Sequence, residues 1–146
     1  MTALLEATGL VRRYHTRRGL LGRMTEVRAV DGVSLRVDRG RTLGLVGESG
    51  CGKSTTGRLV LGMEAPDDGA VRFDGAPMPS PGGAAWRAMR ARMQMVFQDP
   101  LSALDRRLPV GAQVAEPLEI HRTGTLSERA VRVEALLREV GLRPDQ

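Results

Sequence analysis

The sequence predicts an α/β fold built around one strand–loop–helix unit, and three observations carry that prediction. Thr42-Leu43-Gly44-Leu45-Val46 is a short apolar run of buried-strand type. Gly47-Glu48-Ser49-Gly50-Cys51-Gly52-Lys53-Ser54-Thr55 follows it and fits G-x-x-x-x-G-K-[ST], the phosphate-binding P-loop pattern. Lys53 to Leu61 then has helical character, with Gly62 as its stop. Strand, glycine loop and helix in that order are the context the pattern requires.

The residue types follow from the chemistry of holding phosphate. Glycines let the backbone curl so that the main-chain N–H groups from Gly47 through Glu48, Ser49, Gly50, Cys51 and Gly52 to Thr55 point inward. The helix start adds unpaired N–H groups and a partial positive charge. Lys53 brings a compact ammonium for the β- and γ-phosphates, and the Ser54 hydroxyl is placed to hold Mg²⁺. The Thr55 hydroxyl suits a phosphate nearer the sugar. Lys53 is the only lysine among 22 basic residues. The single point charge thus falls where phosphate favours it over the planar arginine fork.

Composition bounds the rest. A chain of 146 residues, 41% hydrophobic and 27% charged, is of ordinary globular size and type for one domain. No apolar run approaches the ~18 residues of a membrane span, and the opening residues do not show the charged-then-apolar pattern of a signal segment. One cysteine excludes an internal disulfide and a cysteine-built zinc site, and fits a reducing compartment. The net charge of +5 permits contact with anionic surfaces, but the arginines are spread along the chain as a solvated face would be. Aromatics at 3% are too few for a nucleic-acid stacking platform, so no nucleic-acid partner is expected.

In chain order, Leu4 to Tyr14 is expected to be a strand of imperfect alternation. His15 to Thr25 is a loop. Val27–Val30 and the cleanly alternating Val33, Leu35 and Val37 form a second strand region, antiparallel to the first because the connection is too short for a crossover. Val71-Arg72-Phe73 and Ala76-Pro77-Met78 flank Asp74-Gly75 as a hairpin, with Pro77 marking an edge. Ala84 to Arg92 forms a short helix, and Met93-Gln94-Met95-Val96-Phe97 an apolar strand running into Gln98-Asp99-Pro100. Pro109 to His121 has helical spacing that Pro117 should kink or end. Thr125 with Glu128 is a capping box, Val133, Leu136, Leu137 and Val140 form one helical face, and Gly141 is its stop. The strands available to flank Thr42–Val46 are few, so the chain is expected to be a truncated piece with uncovered apolar surface.

Val30-Asp31-Gly32-Val33-Ser34-Leu35, the P-loop, and Met93 to Pro100 together resemble an ATP-binding-cassette (ABC) transporter ATPase. The likeness is to the oligopeptide/dipeptide (peptide/nickel) importer subgroup and covers nearly the whole chain. Glu116-Pro117-Leu118 and the arginine- and glycine-containing insertion after Tyr14 also look like that subgroup. The resemblance implies an antiparallel β subdomain around the P-loop core over residues 1–100, and the start of a helical subdomain over 101–146. It implies ATP and Mg²⁺ as ligands. Tyr14 matches the aromatic that stacks on adenine, and Gln98 the Q-loop glutamine that touches Mg²⁺ or the attacking water. It further implies permease subunits and a second ATPase subunit as partners, and a peripheral place on the cytoplasmic face of the membrane.

Other readings stay open at this point. Tyr14 could finish a strand with its ring in the core, and Gln98 could be an ordinary polar strand end. Asp99 after an apolar strand also fits a magnesium aspartate, which would suit a small P-loop kinase or GTPase, although no N-K-x-D guanine motif is present. A non-catalytic module bound to a permease or membrane is the third possibility. His15 and His121 read as surface residues, and Cys51 as a small spacer beside a helix start. Asp105 and Arg106 depart from the importers' S-L-N-P-R, while Arg107 keeps to it. No L-S-G-G-Q signature, Asp-Glu strand or switch histidine lies within the 146 residues, so this chain alone is expected to bind nucleotide and hydrolyse it poorly.

Overall fold

β1 (Ala3–Arg17) is the inner strand of a four-stranded sheet, with β2 (Met24–Asp38) on one side and β3 (Asp68–Phe73) on the other. A two-residue β4 (Ala76–Pro77) completes the order β2-β1-β3-β4, and every neighbouring pair is antiparallel. The computed structural model describes residues 3–17, 24–99 and 103–143. The chain divides into two compact units, Met1–Trp86 and Arg87–Gln146.

The first unit explains the broken alternation of β1. Its register with β2 slips between Ala7 and Leu10, and again between Leu10, Arg12 and Arg13. Between Ala7 and Leu10 the extra residue is in β1 and turns the following side chains to the other face, so that Ala7 and Leu10 are both buried; at the later slips the extra residue is in β2. Gly9 supplies the positive φ at the slip between Ala7 and Leu10, and its N–H donates to Ser34 Oγ at 2.9 Å. β2 keeps the expected alternation, with Val33, Leu35 and Val37 half-buried between exposed Ser34 and Arg36.

α1 (Lys53–Val60) lays Leu59 on this sheet, where it joins Ala7, Leu10, Val30 and Val71 in the core. Leu10 and Leu59 have essentially no exposed surface. Burying one such leucine is worth about 1.5–3 kcal/mol. The helix stops as expected: Gly62 takes a positive φ, its N–H donates to Leu59 O, and Met63 N–H donates to Arg58 O. The Trp86 indole then donates to Gly62 O at 2.8 Å, tying the start of α2 (Ala84–Arg90) to that turn.

In the second unit, α3 (Val110–Ile120) and α4 (Leu126–Glu139) form a helical hairpin, with Gly111 against Val133 and Leu137. Thr125 and Glu128 make both halves of the capping box. Val133, Leu136 and Leu137 are half-buried, while Val140 on the expected face is exposed. The Gln113 side chain accepts from Asp105 N–H and donates to the Asp105 and Leu108 carbonyls, fixing the approach to α3.

Several expectations need correction. The strands run on to Arg17 and resume at Met24, so the loop expected over His15–Thr25 is shorter; residues 18–23 lie outside those described. Cross-strand pairs such as His15 with Glu26 hold the arm together. Pro117 does not end α3, which runs on to Ile120, and the following turn closes through His121 N–H to Pro117 O at 3.0 Å. Thr42–Val46 and Met93–Phe97 form no ladder among the described residues. Leu43 and Leu45 are about half exposed, and Val46 and Val96 nearly fully so. An apolar run becomes a strand only where a neighbour supplies hydrogen bonds. Among the described residues no helix is long and apolar enough to cross a membrane.

Candidate functional site

The glycine loop ends on Gly52, the N-cap of α1, in a left-handed conformation with φ 94° and ψ 3°. A side chain is excluded there twice over. The conformation disfavours it, and a Cβ would overlap the main-chain oxygen of Ala29 in β2. The loop is therefore pinned on the same strand pair that carries Tyr14. Arg12 lies opposite Val30 and Tyr14 opposite Val27 in the β1–β2 register. The fold thus brings the P-loop and the predicted aromatic onto one scaffold.

No side chain caps α1, and its first turn holds no acidic residue. Its leading N–H groups are therefore left for an anion, which the helix dipole also favours. Gly50 has φ 81°, the curl that turns successive amides to one side. The Lys53 ammonium folds back over the loop and donates to Gly47 O at 2.7 Å and Glu48 O at 2.5 Å. It also lies 3.5 Å from the exposed, free thiol of Cys51. Amides and ammonium thus share one small region of positive potential, with Ser54 exposed and Thr55 half-buried beside it.

The donor set also bears on magnesium. Among the described residues no cluster of three or more His, Cys, Asp or Glu could cage a metal ion. A lone hydroxyl such as Ser54 suits Mg²⁺, which keeps water and phosphate oxygens as most of its ligands. An ion held that way would arrive with the phosphates. Gln98 and Asp99 are exposed residues of the second unit, at and after a bend that follows Met93–Phe97; Pro100 lies outside the described residues.

Tyr14 is half-buried, and its hydroxyl donates to Glu64 Oε2 at 2.6 Å. The Arg12 guanidinium sits over the ring, 5.0 Å from its centroid. Arg12 Nε is buried and 3.4 Å from Glu64 Oε2, without hydrogen-bond alignment, while Nη1 donates to Asp67 Oδ1 at 3.0 Å. Asp67 also accepts from Arg13 N–H at 2.6 Å. That main-chain bond, and after it the charge of Arg12, holds the Asp67 carboxyl below the usual carboxylate range. Sequence reasoning missed Arg12, Glu64 and Asp67. The one available signal was Arg12 two residues before Tyr14 on a strand, hence on the same face.

The family description "ABC transporter" matches residues 30–146. Over 143 residues, 97% of this chain, it is 46% identical to the glutathione import ATP-binding protein of Pectobacterium atrosepticum, covering 23% of that protein. It is 41% identical to the di/tripeptide transport ATP-binding protein of Pseudomonas aeruginosa over 99% of the chain, covering 45% of the relative. It is 47% identical to the oligopeptide transport ATP-binding protein of Mycobacterium tuberculosis over 92% of the chain, covering 22% of the relative. The chain therefore spans between about a quarter and a half of the length of these proteins. Among solved structures, a dimeric bacterial ABC transporter cassette superposes with a TM-score of 0.75 at 21% identity, covering 97% of this chain and 59% of that one. The same cassette in a dimeric post-hydrolysis state, bound to ADP and Pi, gives 0.74 at 22% identity, covering 97% of this chain and 62% of that one. At that identity the likeness shows the fold alone. With the motif order, the loop geometry and a family match over residues 30–146 all in agreement, the chain belongs to the ABC transporter family.

Proposed function

We propose that this chain is part of the ATP-binding subunit of a peptide-type ABC importer, and that it binds MgATP on the loop Gly47–Thr55. One observation carries the reading: Gly52 is locked against Ala29, so the loop presents unpaired helix-start amides and the Lys53 ammonium together. The names of the relatives, glutathione, dipeptide and oligopeptide transport proteins, support the importer assignment and the peptide class.

The residues divide the work. Main-chain N–H groups from Gly47 to Thr55 surround the phosphates. Lys53 neutralises charge on the outer phosphates, which requires its ammonium to exchange carbonyl partners for phosphate oxygens. Ser54 holds Mg²⁺, and Tyr14 stacks on the base. Gln98 senses the ion or the attacking water, and the segment after it meets the permease. Bound MgATP supplies the phosphoryl group whose cleavage the whole transporter uses. We assign hydrolysis, a second ATPase subunit, permease partners and a place on the cytoplasmic face of the membrane to the complete protein. Within it, residues 1–100 are the β subdomain and P-loop core, and 101–146 open the helical subdomain.

Displacement of a fluorescent ATP analogue tests the reading. A charged hydrogen bond to phosphate is worth about 1.5–3 kcal/mol. Lys53→Ala should therefore weaken binding about ten- to a hundredfold. Unchanged affinity would remove the loop as the site.

A further inference from the structure

We propose that Arg12 and Glu64 are positioning residues for base recognition, holding the Tyr14 ring as a fixed platform braced to the P-loop helix. The inference rests on the reading that nucleotide binds at the P-loop with its base on Tyr14, and names what sets that stacking surface.

The brace has two contacts on the ring. The Arg12 guanidinium covers one face at 5.0 Å from the centroid, so a stacking base would have to take the opposite face. The hydroxyl is tied to Glu64 Oε2 at 2.6 Å, which anchors the tip of the ring, while the guanidinium over its face opposes rotation about its long axis. Both contacts lead back to α1. Glu64 follows the helix stop at Gly62, and its other oxygen lies 3.7 Å from Arg58 Nη1 on the helix itself. Arg12 is held in turn by Glu64 and by Asp67 three residues further on. A ring supported this way loses little freedom when a base stacks on it, so less of the stacking energy is spent on ordering. The cation beneath the ring also polarises it from the side away from the base.

The test compares MgATP with magnesium tripolyphosphate by calorimetry on the 146-residue chain. Tyr14→Ala sets the full contribution of the base, about fivefold to a hundredfold from stacking worth ~1–3 kcal/mol. Arg12→Ala and Glu64→Ala should each weaken MgATP about three- to tenfold and leave tripolyphosphate unchanged. Glu64→Gln, which still accepts the Tyr14 hydroxyl proton, should recover most of the loss. Adding Arg12→Ala to Tyr14→Ala should cost nothing more. Should Arg12→Ala fail to fold, Arg12→Met keeps the stem over the ring without the charge. The inference is overturned if Tyr14→Ala selectively weakens MgATP while the Arg12 and Glu64 variants do not. Equal losses for both ligands, or additive losses in the double variant, would also overturn it as general structural damage. If the unaltered chain binds tripolyphosphate but gains nothing from the base, the brace has no role. If it binds neither ligand, the site reading itself falls and the brace with it.

Discussion

Val33–Val37 and Leu43–Val46 lie a few residues apart and look equally like strands, yet only the first is one. Val33 pairs with Leu10 and Leu35 with Ala7 in the β1–β2 ladder, and their side chains pack on the core. Leu43, Leu45 and Val46 form no ladder among the described residues, and Val46 is 91% exposed. The difference teaches that an apolar run states a capacity, whereas a strand is a relation between two segments. β1 and β2 find each other across a short connection, so local sequence suffices. A parallel strand has to find its partners through distant chain, and it is stable only when both faces are covered.

Substitutions can break this contrast. The largest expected effect is at Leu10, which is fully buried at the centre of the sheet. Leu10→Ala should cost about 2–5 kcal/mol in urea unfolding. The same change at half-exposed Leu45 should cost under about 1 kcal/mol. Comparable losses would mean that Leu45 is packed as firmly as Leu10, and the contrast would be wrong.

A smaller effect sharpens the same point from the other side. α4 begins on a signal that needs no distant partner, since Thr125 and Glu128 satisfy each other's main-chain N–H groups. Thr125→Ala should cost about 1 kcal/mol of helix stability. The Glu128 carboxyl is held below its usual range, first by the Thr125 N–H and then by the Thr125 hydroxyl. A depressed folded-state pKa stabilises above the unfolded value and is lost as pH falls through the folded one. The Thr125→Ala penalty, measured by circular dichroism, should therefore shrink in acid and be full at neutral pH. A penalty independent of pH would separate the cap from Glu128.

What could be read from residues alone follows the same division. The Asp74-Gly75 turn, the Gly62 and Gly141 stops and the Thr125 box are local, and each is where the residues placed it. The arm from His15 to Arg17 was missed because polar His15 and Thr16 resemble a loop, although cross-strand pairing with Thr25 and Glu26 keeps them extended. Pro117 was overweighted, because one missing N–H bond is tolerated when the next turn still closes. At the candidate site, the glycine loop and Lys53 are neighbours in sequence, so their proximity needed no distant contact to be read. The support for Tyr14 was not legible, since Glu64 is 50 residues away and meets it only through the fold.

The account stands most directly on the claim that the loop Gly47–Thr55 holds a triphosphate. Titrating MgATP into the folded 146-residue chain in a calorimeter measures it. The account predicts saturable heat at one site, abolished or shifted at least tenfold weaker in Lys53→Ala. A flat trace from well-folded protein, or an isotherm that Lys53→Ala leaves unaltered, would contradict it.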